Sequence, residues 1–237
     1  MVRPLIIASQ QAKAKLGIRF GFKIYFAKGD IMRGLRISLC LVAALFVTAQ
    51  VWAYGIGSSS LPLPEKSKII TTEATNIFTS GGGSGLQVRY AQKINQAILV
   101  DGGVGVSGGN YANRIFVGAD YELYPDYERQ PRVLLRGSYE NAKEKSHRRH
   151  IWSLAPVVSK GTSFWGHEAF PYVALPLGLA LQSKTGTYRT TLQMNLGINA
   201  PLTIPSIKNL IVHGELSFNI KDSFTGILLG LSYPLND

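Results

Sequence analysis

From Gly85 to the C-terminus, apolar and polar residues alternate with a period of two in one segment after another. That period puts successive side chains on opposite faces of an extended chain and predicts strands with two chemically distinct sides. Tyr188–Leu202 is the clearest case. Tyr188, Thr190, Leu192, Met194, Leu196, Ile198, Ala200 and Leu202 share one parity, and Arg189, Thr191, Gln193, Asn195, Gly197 and Asn199 the other. Leu210–Lys221, Asn113–Tyr124 and Arg132–Asn141 repeat the pattern, with Leu134 interrupting the polar side of the last. Leu86–Gln92, Gln96–Ser107, His150–Lys160, Phe170–Gln182 and Phe224–Leu235 follow it less regularly. Turn-forming residues separate the segments, at Lys93-Ile94-Asn95, Gly108-Gly109-Asn110, Pro125-Asp126, Lys184-Thr185-Gly186 and Lys221-Asp222-Ser223. The reading is all-β, with nine strands from Gly85 onward. A closed bacterial barrel takes an even number. A weaker strand at Lys68–Thr79 raises the count to ten; one segment outside the wall lowers it to eight.

Alternation defines two faces but not which one points inward. A soluble ligand carrier buries its apolar face in the barrel, whereas a membrane barrel turns it to lipid. Four features favour lipid. Several segments have the ~10 residues a tilted membrane strand needs. The polar parity is rich in Gly, Ser, Asn and Gln with sparse charge, unlike a solvent-exposed coat. Tyr121, Tyr124, Tyr139, Trp152, Tyr172, Tyr188, Phe224 and Tyr233 lie near segment ends, where interfacial girdles place aromatics. An export signal precedes the strands. Composition agrees: charged residues are 16% of the chain, against about 25% in soluble domains.

The signal reads as Met32–Ala53. Met32-Arg-Gly-Leu-Arg36 is a positive n-region, Ile37–Val51 an apolar core, and Ala53 the small residue at the expected cleavage edge. Residues 1–31 precede it as a basic segment, which is expected to be an artefact of start-site choice with translation beginning at Met32. Residues 54–84 read as an N-terminal linker holding at most one strand, and 85–237 as the barrel. Residues 1–53 carry +7 of the formal net charge of +11, leaving +4 for the rest. So mild an excess does not call for a nucleic-acid partner. The single cysteine, Cys40, falls in the signal core, so the mature chain is expected to hold no disulfide or thiolate metal site.

On these strands, the region 85–235 resembles the small outer-membrane β-barrel proteins of eight to ten strands. The resemblance implies a closed antiparallel up-and-down transmembrane barrel with a hydrogen-bonded polar interior. It also implies the barrel-insertion machinery and outer-membrane lipid as partners. One departure stands out. Such chains usually end in an aromatic residue, whereas this one ends Tyr233-Pro-Leu-Asn-Asp237.

If the polar parity faces the lumen, Arg89, Arg114, Arg132, Arg136 and Arg189 point inward with Asp101, Asp120, Glu122, Glu140 and Glu215. In so narrow an interior these charges are expected to pair into a structural plug. Lys143-Glu-Lys-Ser-His-Arg-Arg-His150 is the densest charge run and reads as a solvated hairpin loop. Its functional reading is contact of Arg148 and Arg149 with lipopolysaccharide phosphates. The histidines His147, His150, His167 and His213 invite a hydrolase reading, but His150 and Ser153 fall on opposite strand faces. His213 and Ser217 share a face about 13 Å apart. Neither pair makes an activated nucleophile, so no catalytic site, cofactor or metal is expected. Gly81–Gly85 lacks the lysine and helix of a phosphate loop, and Leu61-Pro-Leu-Pro64 reads as extended chain. The leading expectation is a non-catalytic structural or cell-surface barrel; a narrow solute channel is second and a soluble lipocalin-like carrier third.

Overall fold

The computed structural model describes residues 55–78, 83–107, 111–144, 147–164, 166–183, 185–204 and 207–235. The expected signal Met32–Ala53 and the segment 1–31 lie outside the described residues. Among the described residues, a short 3₁₀ turn at Gly57–Ser60 is followed by twelve strands. These are β1 (Lys68–Ile77), β2 (Ser84–Lys93), β3 (Ile98–Ser107), β4 (Tyr111–Tyr124), β5 (Arg132–Glu144) and β6 (His147–Ser159), then β7 (Thr162–Phe164), β8 (His167–Ala174), β9 (Leu177–Gln182), β10 (Thr187–Ile204), β11 (Ile207–Lys221) and β12 (Gly226–Leu235).

Consecutive strands pair antiparallel from β1 to β6, and β12 closes the ring by pairing with both β11 and β1. β8 and β9 act as one wall strand. Both lie between β6 and β10, divided at Leu175-Pro176. Pro176 has no N–H to give the ladder, which breaks the regular pattern there. The wall stays continuous because Leu175 N donates to Pro156 O at 3.1 Å and Gln193 N to Pro176 O at 3.1 Å. β7 pairs only with β8 and stands off the wall. The result is a closed ten-stranded barrel. The weaker segment near Lys68 is therefore a wall strand, β1, and resolves the strand count to ten. Closure pairs the backbone polar groups around the ring and leaves no open edge, the condition for a sheet in lipid.

The faces are the reverse of a soluble protein's. Leu86, Val104, Ile115, Trp152, Leu196, Leu216 and Leu229 point outward and are exposed, whereas Arg89, Arg136, Glu73, Asn195, Asn199 and His213 are buried inside. Burying charge while exposing leucine is favourable only where the outer solvent is hydrocarbon. This arrangement rules out the soluble-carrier reading, whose apolar residues would line the interior. Tyr121, Tyr124, Trp152, Tyr188 and Tyr233 face outward as a girdle requires, but Tyr172 does not; it is buried in the lumen.

β1 begins and β12 ends at the same rim, since Lys68 pairs with Leu235. We call this the terminal rim. The β1–β2, β3–β4, β5–β6, β9–β10 and β11–β12 connections lie at the opposite, distal rim. The charge run at Lys143–His150 is not a long loop. β5 continues to Glu144 and β6 starts at His147, with Glu144 paired to His147.

Candidate functional site

The alternation that sends one parity of every strand inward brings the inward charges of β1 to β5 together. Arg89 sits on β2 between neighbours on β1 and β3. Its Nε lies 3.1 Å from Glu73 Oε1, and its Nη1 donates to Asp101 Oδ2 at 2.7 Å. Arg136, three strands further round on β5, donates from Nη2 to both Asp101 oxygens at 2.7 and 2.8 Å, and from Nη1 to Asp120 Oδ1 at 2.7 Å. Asp101 thus bridges two guanidinium groups. Gln87 extends the chain, donating to Glu73 and accepting from Arg114. Arg114 also lies 3.5 Å from Glu140. Phe116 fills the space between, its ring centroid 4.8 Å from the Arg89 guanidinium and 5.1 Å from that of Arg114. A guanidinium over an aromatic face is attracted by the ring's quadrupole.

Glycines make room for these groups. A Cβ at Gly118 would run into the Arg136 guanidinium and the Asp101 carboxylate, and one at Gly197 into the Tyr172 ring. Inward glycine on one strand under a large side chain of its neighbour lets the wide group lie flat against the wall.

The expected lumen set is thus brought together for Arg89, Asp101, Arg114, Asp120, Arg136 and Glu140. Arg132 and Glu122 form a separate cluster near the terminal rim. Arg132 Nε donates to Glu122 Oε2 at 2.8 Å, and Lys93 Nζ lies 3.3 Å from the same oxygen. Arg189 does not join. It has the inward parity but stands beyond the packed interior at the distal rim, its side chain 65% exposed and 3.8 Å from Asp222. Glu215 is buried, but its partners are not the arginines. It accepts from Asn195 Nδ2 at 2.8 Å, from the Tyr172 hydroxyl, and from the backbone N–H of Ile56 at 2.7 Å.

That last bond exposes what the sequence reading missed. Residues 55–61 are no linker outside the barrel; they run inside it as a strap. Ile56 and Leu61 are buried, the former among Leu134, Ala155, Val157, Tyr172 and Ala174, the latter against Ile69 and Ile211. Polar bonds hold the strap's backbone from three sides. Arg89 Nη2 donates to Gly55 O at 3.0 Å, Asn199 Nδ2 to Gly57 O at 3.3 Å, and Arg132 Nη1 to Leu61 O at 3.2 Å. Leu134, which interrupts the polar parity of β5, is the strap's apolar seat. The interior therefore has two zones: an ion-pair network, and an apolar floor that packs the strap. Glu73 was also missed, because β1 was read only as a weak strand. Its parity with Ile69, Thr71 and Thr75 was the available signal. Nothing in Gly55-Ile-Gly-Ser-Ser-Ser60 has a period that could have marked the strap.

The remaining candidates separate. Arg148 and Arg149 are adjacent on β6 and so point to opposite faces. Arg148 is outward, its Nη1 donating to Asn141 Oδ1 at 2.7 Å; Arg149 turns to the distal mouth, donating to Asp222 O at 3.1 Å. They do not form a joint phosphate clamp. His150 faces outward, against Tyr139 and Asn141, while Ser153 bonds Ser138 on the other parity. His213 is buried with Nε2 3.2 Å from Glu73 Oε1. Among the described residues no group of three or more His, Cys, Asp or Glu could hold a metal. Outside the wall, Asp126 on the β4–β5 connection accepts from Lys160 Nζ and, at 2.6 Å, from Gly161 N. Partial burial pushes its carboxyl up, but the Lys160 and Gly161 bonds outweigh this and hold it below the ordinary value.

No family model and no curated protein matches the chain. Among solved structures, it is similar to the translocator domain of autotransporter NalP from Neisseria meningitidis, at 12% identity and a TM-score of 0.41, over 86% of this chain and 95% of that one. It is similar to an outer membrane channel from Pseudomonas putida F1 at 10% identity and TM-score 0.41, over 77% and 100%. It is also similar to Ail, the attachment invasion locus protein of Yersinia pestis, at 14% and 0.27, over 73% and 100%. On its own strand pairing and the polarity of its two faces, the chain is a closed ten-stranded membrane β-barrel with an occupied lumen.

Proposed function

We propose that the protein is a non-catalytic, non-conducting barrel of the outer membrane, exported by the signal at Met32–Ala53, with a structural or cell-surface interaction role. The observation that carries this reading is the double occupation of the lumen. Ion pairs centred on Arg89, Asp101 and Arg136 fill its β1–β5 side, and the strap 55–61 packs against β5, β6, β8, β10 and β11. A conduit for solutes needs a continuous path of water, and the network and the strap together occupy the space such a path would need. A buried network also resists opening, because separating its members leaves charges desolvated without partners. Barrel-insertion machinery, outer-membrane lipid and lipopolysaccharide are its proposed partners; nucleic acid is not among them.

Planar-bilayer recording tests the reading. The purified protein is expected to insert without steady current steps. Reproducible single-channel steps of one amplitude would establish the channel reading in its place. Fractionation tests the location: the protein is expected with the outer membrane, and recovery in the soluble periplasm would refute it.

A further inference from the structure

The lipid-facing surface of a barrel is convex, so a recess in it requires a missing side chain. One such recess, of about 710 Å³, opens on the outer face of β4, β5, β6, β9 and β10. Gly137 forms its floor, and a Cβ there would meet nothing within 4 Å. Val117, Tyr139, Trp152, Leu154, Leu177 and Leu179 wall it, so the groove is almost wholly apolar. Tyr139 and Trp152 close its distal end, their ring centroids 4.4 Å apart.

Beyond those rings the outer face becomes cationic. Lys143 and Arg148 are direct cross-strand partners on the outward parity of β5 and β6. Like charges directly opposite each other repel. Among the described side chains, no Asp or Glu occupies the outward parity of β4, β5, β6, β9 or β10 to relieve them. Arg148 is instead steadied by a neutral chain. Its Nη1 donates to Asn141 Oδ1, Asn141 Nδ2 lies 3.1 Å from His150 Nδ1, and the Tyr139 hydroxyl lies 2.8 Å from that same nitrogen. The result is two outward cations, Arg148 held by that chain, above an apolar groove.

We propose that this site binds one phosphorylated lipid of the surrounding leaflet, its phosphate on Lys143 and Arg148 and one acyl chain in the groove over Gly137. The lengths agree. Six residues separate Lys143 from Gly137, about 20 Å at ~3.4 Å per residue. On a strand tilted by roughly 40° this rises about 15 Å, half of the ~30 Å hydrocarbon core and hence the depth of one leaflet. Two cations facing one phosphate form charge-assisted hydrogen bonds that a zwitterionic or uncharged headgroup does not fully replace.

The assignment rests on the membrane-barrel reading, which heat-modifiable migration of the folded protein tests independently. The full chain, purified from membranes in mild detergent, is titrated with diphosphoryl lipid A, dephosphorylated lipid A or inorganic phosphate. Bound molecules are counted by native mass spectrometry. One diphosphoryl lipid A is expected to bind, at least roughly tenfold more tightly than the dephosphorylated form. Inorganic phosphate at equal concentration is expected not to displace it. Gly137→Leu, which fills the groove, is expected to weaken both lipid A forms alike, by roughly tenfold, and Lys143→Gln with Arg148→Gln, which removes the charge, to abolish the preference; both variants are expected to migrate as folded barrels. The single change Lys143→Gln gives a milder version of the second. Equal binding of the two lipid A forms, undiminished binding by Gly137→Leu, or displacement by inorganic phosphate would overturn the proposal. So would a lipid-independent dimer that covers this face.

Discussion

Replacing Arg136 by Met keeps most of the side chain's length and removes its charge. Arg136 is 1% exposed and gives three hydrogen bonds to two carboxylates, at 2.7, 2.8 and 2.7 Å. At about 1.5–3 kcal/mol per bond to a charged group, these sum to roughly 4–9 kcal/mol. Part of that is returned, because the desolvation of the guanidinium itself disappears. Breaking a buried pair by removing one partner costs about 3–5 kcal/mol, and we expect a loss in this range. Asp101 keeps Arg89 at 2.7 Å, whereas Asp120 loses the Arg136 bond at 2.7 Å. Adding Asp120→Asn should therefore recover part of the loss, with a coupling above about 1 kcal/mol in a double-mutant cycle. The assay is reversible urea unfolding in lipid vesicles, followed by tryptophan fluorescence and by heat-modifiable migration. A loss below about 1 kcal/mol for Arg136→Met, or strict additivity with Asp120→Asn, would refute the view that this network holds the lumen together.

Deleting residues 55–61 should remove the apolar plug and leave Arg89, Glu215 and Arg132 without the strap's backbone partners. Accelerated proteolysis of the barrel and intermittent current in planar bilayers are the expected readouts, and an unchanged silent barrel would show the strap to be dispensable. Gly197→Val should overpack the Tyr172 ring and cost about 1–3 kcal/mol, whereas Gly137→Ala on the open outer face should change stability by less than about 0.5 kcal/mol; the same urea titration separates them. The depressed Asp126 carboxyl gives a pH test. Its bond to Lys160 contributes stability that is present above the ordinary carboxylate value of about 3.9 and is lost as pH falls through the lower folded value. Wild type should therefore lose its advantage over Asp126→Asn on going from neutral pH to well below the ordinary carboxylate value; the same advantage at both pH values would exclude the bridge.

The sequence alone determined the strand character, because period-two alternation is a local property that survives without knowledge of partners. It also determined which residues would share a face, and hence that Arg89, Asp101, Arg114, Asp120, Arg136 and Glu140 would meet if the polar parity turned inward. Leu134 marked a place where that parity broke, but parity could not say what it would touch. Closure decided the rest. Only the ring shows that β1 completes the wall, since its weak pattern gains its meaning from pairing with β12. Only the staggered ends of the strands show that Arg189 stands at the rim outside the packed interior. The strap at 55–61 was beyond sequence reasoning because it has no regular structure to announce itself. Its position follows from long-range bonds to Glu215, Asn199 and Arg132, each more than seventy residues away. Alternation fixes the side of a strand a residue occupies; only the curvature and register of the closed sheet decide which of those residues come within reach of one another.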